Sequence, residues 1–215
     1  FRAACRLGDG VHMENDVMLY ARLEELAPAF RERCAGIGLT MDNEERCVPG
    51  LVYIRSGEAL RRLNLFVASE GARRRWTDMQ ALGAYMRRAE GGDCSALPVL
   101  PPRYRELHPL VNLRGEAGSS PWYDALFDRF GGVFDGAALG QFVGGIDKRH
   151  DSGDTRGYVS DAAVYDPREM GLRWKSEGGL RLPYGEVGGR EFPIFNLHIH
   201  SKELAKYASD APLES

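Results

Sequence analysis

The first apolar stretch, Val11-His12-Met13, runs into Glu14-Asn15-Asp16 and out again into Val17-Met18-Leu19-Tyr20. That is the pattern of a short buried strand ending in an acidic turn. Leu23, Leu26 and Phe30 then recur at helical spacing. Ala35 to Leu39 reads as a second strand, and Gly50-Leu51-Val52-Tyr53-Ile54 as a third, bounded by Pro49 before it and Ser56-Gly57 after it. Ser56 is placed to cap a helix that turns Leu60, Leu63 and Val67 inward. Thr77-Asp78-Met79-Gln80 has the form of a capping box, in which the hydroxyl and the amide side chain satisfy orphan groups at a helix start. The helix it opens carries Leu82, Tyr85 and Met86 and stops at Gly91-Gly92-Asp93. Ala96 to Leu100 reads as a strand closed by Pro101-Pro102.

Beyond it, residues 101–121 are rich in proline, glycine and charge and read as a loop, followed by helical spacing over Trp122 to Phe130 and over Asp135 to Val143. Composition changes at Gly144: from there to Gly157 the chain is polar, charged and glycine-rich, the make-up of a loop. Tyr158 to Tyr165 and Leu172 to Trp174 look extended, Gly178-Gly179 and Gly188-Gly189 stand where hairpin turns belong, and Phe192 to His200 alternates. Strands alternating with helices, then strands joined by turns, predict an α/β fold with a mixed sheet flanked by helices and a C-terminal antiparallel β meander. With no internal repeat, residues 1–215 read as one domain.

Charge and cysteine content narrow the function classes. A formal net charge of −3 gives no electrostatic reason to expect nucleic acid as a partner. No apolar run reaches the roughly 20 residues of a membrane-spanning helix. Cys5, Cys34, Cys47 and Cys94 lie far apart without a C-x-x-C pair, so reduced thiols and a cytoplasmic setting are expected. The chain opens at Phe1 with neither an initiator Met nor a signal pattern, which reads as the continuation of something upstream.

Chemistry concentrates in three places. Glu14 and Asp16, at alternating positions where a strand ends, offer two hard oxygen donors for Mg²⁺ or Mn²⁺ against a diphosphate, or else Asp16 simply caps a following helix. In Ile194 to Lys202, an extended chain puts Asn196, His198 and His200 on one face, where the imidazoles can bind a metal or a phosphate or merely hydrogen-bond at a solvent-facing sheet edge. The loop of residues 144–157 supplies Asp147, Arg149, Asp154, Thr155 and Arg156, groups suited to sugar hydroxyls and phosphates. Asp154, Thr155 and Arg156 are read as its cofactor-binding set, against the alternative of a solvated surface loop. Asp78, in a first helical turn, fits either a helix-stabilising carboxylate or a catalytic base.

Taken together, Met13 to Val17, Gly50 to Ile54, Thr77-Asp78-Met79, Phe134 to Gln141 and Asn196 to Lys202 resemble a set of GT-A-fold glycosyltransferase-like proteins, over nearly all of the chain. The resemblance implies that Glu14-Asn15-Asp16 stands where that superfamily has an Asp-x-Asp motif holding a divalent metal on the nucleotide-sugar diphosphate. Because the first position here is Glu, Asp16 is the principal ligand. A late histidine, His198 or His200, would complete the site, and Asp78 matches an acidic residue that serves as base or acceptor contact. The superfamily's nucleotide-binding half precedes the acidic motif, so the chain reads as a catalytic and acceptor half truncated at its N-terminus. The expected function is metal-dependent transfer of a sugar from a nucleotide-sugar donor to a glycan or other hydroxyl acceptor. Two alternatives stand beside it: a carbohydrate-binding module without catalysis, and a metallohydrolase built on His198 and His200.

Overall fold

The computed structural model describes residues 8–88, 93–113, 122–147, 149 and 153–210. A four-stranded mixed sheet forms its centre, in the order β1-β4-β3-β5, from β1 (Gly10–Met13), β3 (Ile37–Asn43), β4 (Arg46–Ile54) and β5 (Cys94–Leu97). β4 runs antiparallel to both neighbours, and β3 pairs with β5 in parallel. β2 (Val17–Leu19) leaves this sheet to pair antiparallel with β9 (Asn196–His198). β6 (Arg173–Glu177), β7 (Leu180–Val187) and β8 (Arg190–Pro193) make the C-terminal antiparallel meander, turning at Gly178-Gly179 and Gly188-Gly189.

Strand alternation sorts the sheet's side chains to two faces. Leu51 and Tyr53 of β4 pack with Leu26 and Phe30 of α1 (Leu23–Arg33), where the Phe30 and Tyr53 rings stack with centroids 4.6 Å apart. Each such ring, taken fully out of water, stabilises the fold by about 1.5–3 kcal/mol. On the other face Ile37, Leu39, Met41 and Val52 meet Ala59 and Leu63 of α2 (Gly57–Phe66) and Leu82, Tyr85 and Met86 of α3 (Asp78–Arg88). Both helix starts are capped as the sequence indicates: Ser56 Oγ accepts from the Ala59 amide at 3.2 Å, and Thr77 Oγ1 accepts from the Gln80 amide at 3.2 Å while Gln80 Oε1 accepts from the Thr77 amide at 3.0 Å.

Four local expectations are corrected. Pro49 does not bound β4 but lies inside it, at a register shift between β3 and β4 where no ladder N–H is required of it. Pro102–Leu107 is a helix (α4) within the expected loop, with proline at its first position, where a missing N–H costs nothing; residues 114–121 of that loop lie outside the described residues. The helix expected over Trp122 to Phe130 is confined to Phe127–Phe130 (α5), closed by Gly131 at φ 71°. Tyr158 to Tyr165 is irregular rather than a strand; the Val164 amide donates to the Asp42 carbonyl and the Val111 amide to the Val164 carbonyl. The described part of residues 145–157 has no helix or strand, as expected, and follows α6 (Ala138–Gly144).

Cys34, Cys47 and Cys94 are free thiols. No helix among the described residues is long and apolar enough to cross a membrane.

Candidate metal centre and cleft

The acidic turn is built by β1 and β4. Glu14 N–H donates to the Gly50 carbonyl at 3.1 Å, and the Val17 amide closes back onto the Glu14 carbonyl at 3.3 Å, so Glu14 and Asp16 project from one tight turn. β2 follows at once, which excludes Asp16 as a helix cap: α1 opens at Arg22 without a side-chain cap. In the β2–β9 pair Val17 lies opposite His198, and the Ile199 amide donates to the Asp16 carbonyl at 2.8 Å. The two ends of the chain are thereby locked in register at the site.

Glu14, Asp16 and His198 converge, each offering one ligand atom, all within 4.8 Å of one another. His198 Nε2 is 3.1 Å from Asp16 Oδ1 and 3.4 Å from Glu14 Oε2, and the histidine is only 4% exposed. Its other nitrogen, Nδ1, lies 3.3 Å from the Gly136 carbonyl. A carbonyl only accepts, so that contact places a proton on Nδ1 and turns Nε2 towards the two carboxylates. Two carboxylates and an imidazole nitrogen share this corner, an arrangement that positive charge stabilises. Two hard oxygens and an imidazole whose far nitrogen is anchored on a backbone carbonyl are a donor set suited to a divalent metal.

His198 is closely packed at two glycines, Gly50 against its ring and Gly140 against its main chain. A Cβ on Gly50 would come within 2.8 Å of His198 Nδ1, so the ring would have to shift, and one on Gly140 within 2.1 Å of the His198 carbonyl oxygen, where backbone leaves no room for it. Beneath them lies Asp135, fully buried, whose carboxylate accepts from the amides of Leu139 (3.0 Å), Gly140 (2.8 Å) and His198 (2.9 Å). One side chain thus caps α6 and holds the His198 backbone. Burial pushes the Asp135 carboxyl up to about 6, against the pull of these three donors and of His198. Asn196 completes the support, exchanging hydrogen bonds with the Asp135 main chain at 3.2 and 3.0 Å. Asn196 and His198 are therefore buried groups, not a solvent-facing sheet edge.

Lys202 adds a positive charge, its ammonium donating directly to Asp16 Oδ2. Burial would raise the Asp16 carboxyl, but Lys202 and the His198 ring outweigh it and hold it below its ordinary value. The sequence pattern singles out neither Asp135 nor Lys202 as a site residue. Asp135 carried a signal in retrospect: a lone acidic residue four and five positions before the amides at a helix start.

The triad opens into a cleft of about 750 Å³, which Asp78, His200, Asp147, Arg149 and Lys202 also line. Asp78 stands exposed at the start of α3, its Oδ1 accepting from the Met79 amide at 2.8 Å. His200 lies beside the triad rather than in it: its ring centroid is 4.3 Å from that of His198, and its Nδ1 is 3.2 Å from Gln141 Nε2. The loop is divided. Asp147 and Arg149, ion-paired at 2.8 Å, face the cleft, whereas Asp154, Thr155 and Arg156 line an adjoining cavity of about 350 Å³ with Ser201 and Lys206. There Thr155 Oγ1 accepts from the Ile146 amide at 2.7 Å, and the Arg156 guanidinium, paired with Asp154 at 2.6 Å, holds that carboxyl down at about 2.

Set against protein-family models, curated proteins and solved structures, the chain finds no match.

Proposed function

We propose that this chain is a metal-dependent glycosyltransferase of the GT-A type, moving a sugar from a nucleotide-sugar donor to a glycan or other hydroxyl acceptor. The observation that supports it is the convergence of Glu14 and Asp16 with His198 at the edge of a cleft that Asp78 also lines. In this reading Glu14, Asp16 and His198 hold Mn²⁺ or Mg²⁺, with Mn²⁺ favoured because one donor is an imidazole. The bound ion supplies neutralisation of the nucleoside diphosphate that leaves the donor sugar.

The protein's own groups do the rest. Asp78 accepts the proton of the acceptor hydroxyl, and its exposed place on the cleft wall lets a glycan or small hydroxyl acceptor reach it. Lys202 brings positive charge to the same cleft, where an anionic diphosphate would lie. Asp135 and Asn196 keep the His198 backbone fixed while ligands exchange.

The test is turnover of a panel of nucleotide sugars with Mn²⁺, with and without chelator, in the native chain and Asp16→Ala. Metal-dependent sugar release or transfer that chelator and Asp16→Ala both abolish supports the reading. Hydrolysis of a simple phosphoester without any sugar donor would replace it with the metallohydrolase, and glycan binding indifferent to chelator with the carbohydrate-binding module.

A further inference from the structure

We infer that Lys202 is a built-in counter-cation for the metal centre, which holds Asp16 until a divalent ion arrives and then turns its charge to the anionic ligand. The inference rests on the metal-site reading above and adds to it an exchange between two cations at one carboxylate.

Four observations carry it. The Lys202 ammonium donates to Asp16 Oδ2 while Asp16 Oδ1 faces His198 Nε2 at 3.1 Å, so the lysine and the triad use different oxygens of the same carboxylate. The backbone at Lys202 is left-handed, φ 66°, a region that side-chain-bearing residues seldom adopt, and its amide is tied to the Ile199 carbonyl at 3.1 Å. That turn aims the side chain across the cleft at the acidic residues. Exposure is unequal: the Lys202 side chain is 50% exposed and the Asp16 side chain 8%, so the lysine is the partner with open space to withdraw into. Finally, the other cations described on the cleft wall are engaged elsewhere, Arg46 with Asp42 at 3.3 Å and Arg149 with Asp147 at 2.8 Å.

Charge accounts for the direction of the exchange. Glu14, Asp16 and Lys202 together leave one net negative charge, which attracts a cation. A divalent ion in the triad reverses the sign to one net positive charge, which attracts an anion such as a diphosphate. Lys202 therefore opposes the metal and favours the diphosphate, and its removal must move the two affinities in opposite directions.

Calorimetric titration with Mn²⁺, then with inorganic pyrophosphate on the Mn²⁺-loaded chain, tests this in the native protein, Lys202→Met, Lys202→Arg and Asp16→Ala. Lys206→Met serves as control, because Lys206 pairs with Glu203 outside the cleft. Lys202→Met should bind Mn²⁺ roughly tenfold tighter and pyrophosphate roughly tenfold weaker, the scale of one charge-assisted hydrogen bond. Lys202→Arg and Lys206→Met should match the native chain in both. Mn²⁺ affinity unchanged or weakened in Lys202→Met, with native binding still lost in Asp16→Ala, overturns the exchange and leaves the metal site standing. No Mn²⁺ binding by either the native chain or Lys202→Met overturns both.

Discussion

His198 Nε2 and Asp16 Oδ1 stand 3.1 Å apart although 182 positions separate the residues. The contact is held by main-chain pairing, Val17 opposite His198, rather than by the side chains themselves. Removing one side chain should therefore abolish ligand binding at the corner while leaving its backbone in place.

Gly50→Ala is expected to separate ligation from folding. The new methyl would lie 2.8 Å from His198 Nδ1, at the end of a side chain that can tilt away. Overpacking of this kind costs about 1–3 kcal/mol. Mn²⁺ affinity should fall at least tenfold in calorimetry, whereas the far-ultraviolet spectrum stays native. Gly140→Ala, whose methyl would meet the His198 carbonyl at 2.1 Å, should cost more stability because backbone must move.

Asp135→Ala removes an acceptor from three buried amides at once. Each unsatisfied buried amide costs about 1–3 kcal/mol, so a loss of at least about 3 kcal/mol is expected in urea denaturation. Asp135→Asn keeps one acceptor oxygen and should recover part of it.

Burial pushes the Cys34 thiol up to about 11 and the Cys94 thiol up to about 12, from an ordinary value of 9.0. The sign follows from linkage: above pH 9 the unfolded chain has released these protons and the folded chain still binds them. The thiols' contribution to stability is thus complete below pH 9 and is lost as pH rises towards 11 and 12, by up to about 1.4 kcal/mol per pH unit per thiol. Denaturation at pH 8, 9 and 10 should show the decline, and Cys94→Ala should make it shallower. An identical slope in the variant would contradict the assignment.

How much of this was open to sequence reading depends on the range of the interaction. The capping box at Thr77 and the cap at Ser56 were legible because every partner lies within three residues. The acidic turn and the histidine tail were each visible as residue types, and their meeting followed only by resemblance, since β2–β9 pairing is set by tertiary packing. The choice between His198 and His200 lay outside the pattern, because it depends on where β9 ends: His198 is its last residue, and His200 falls beyond it beside Gln141. Asp135 resembled an ordinary helix-start acid, and its role towards His198 exists only in three dimensions. Phe127–Phe130 shows the converse, an apolar spacing over Trp122 to Phe130 that tertiary packing consumes in turns.

Asp78→Asn should leave Mn²⁺ affinity and thermal stability native, since Asp78 is exposed and stands outside the triad. Turnover of whichever nucleotide sugar proves active should fall by about 10²-fold or more, the usual worth of a positioned base. An equal fall in metal affinity would recast Asp78 as part of the ion site.

The most direct test of the account is calorimetric titration of the chain with Mn²⁺, comparing the native sequence with Asp16→Ala, His198→Ala and His200→Ala. The account predicts one site in the native chain, lost in Asp16→Ala and His198→Ala and kept in His200→Ala. Native-like binding in Asp16→Ala or His198→Ala would contradict it, as would a native chain that binds no Mn²⁺.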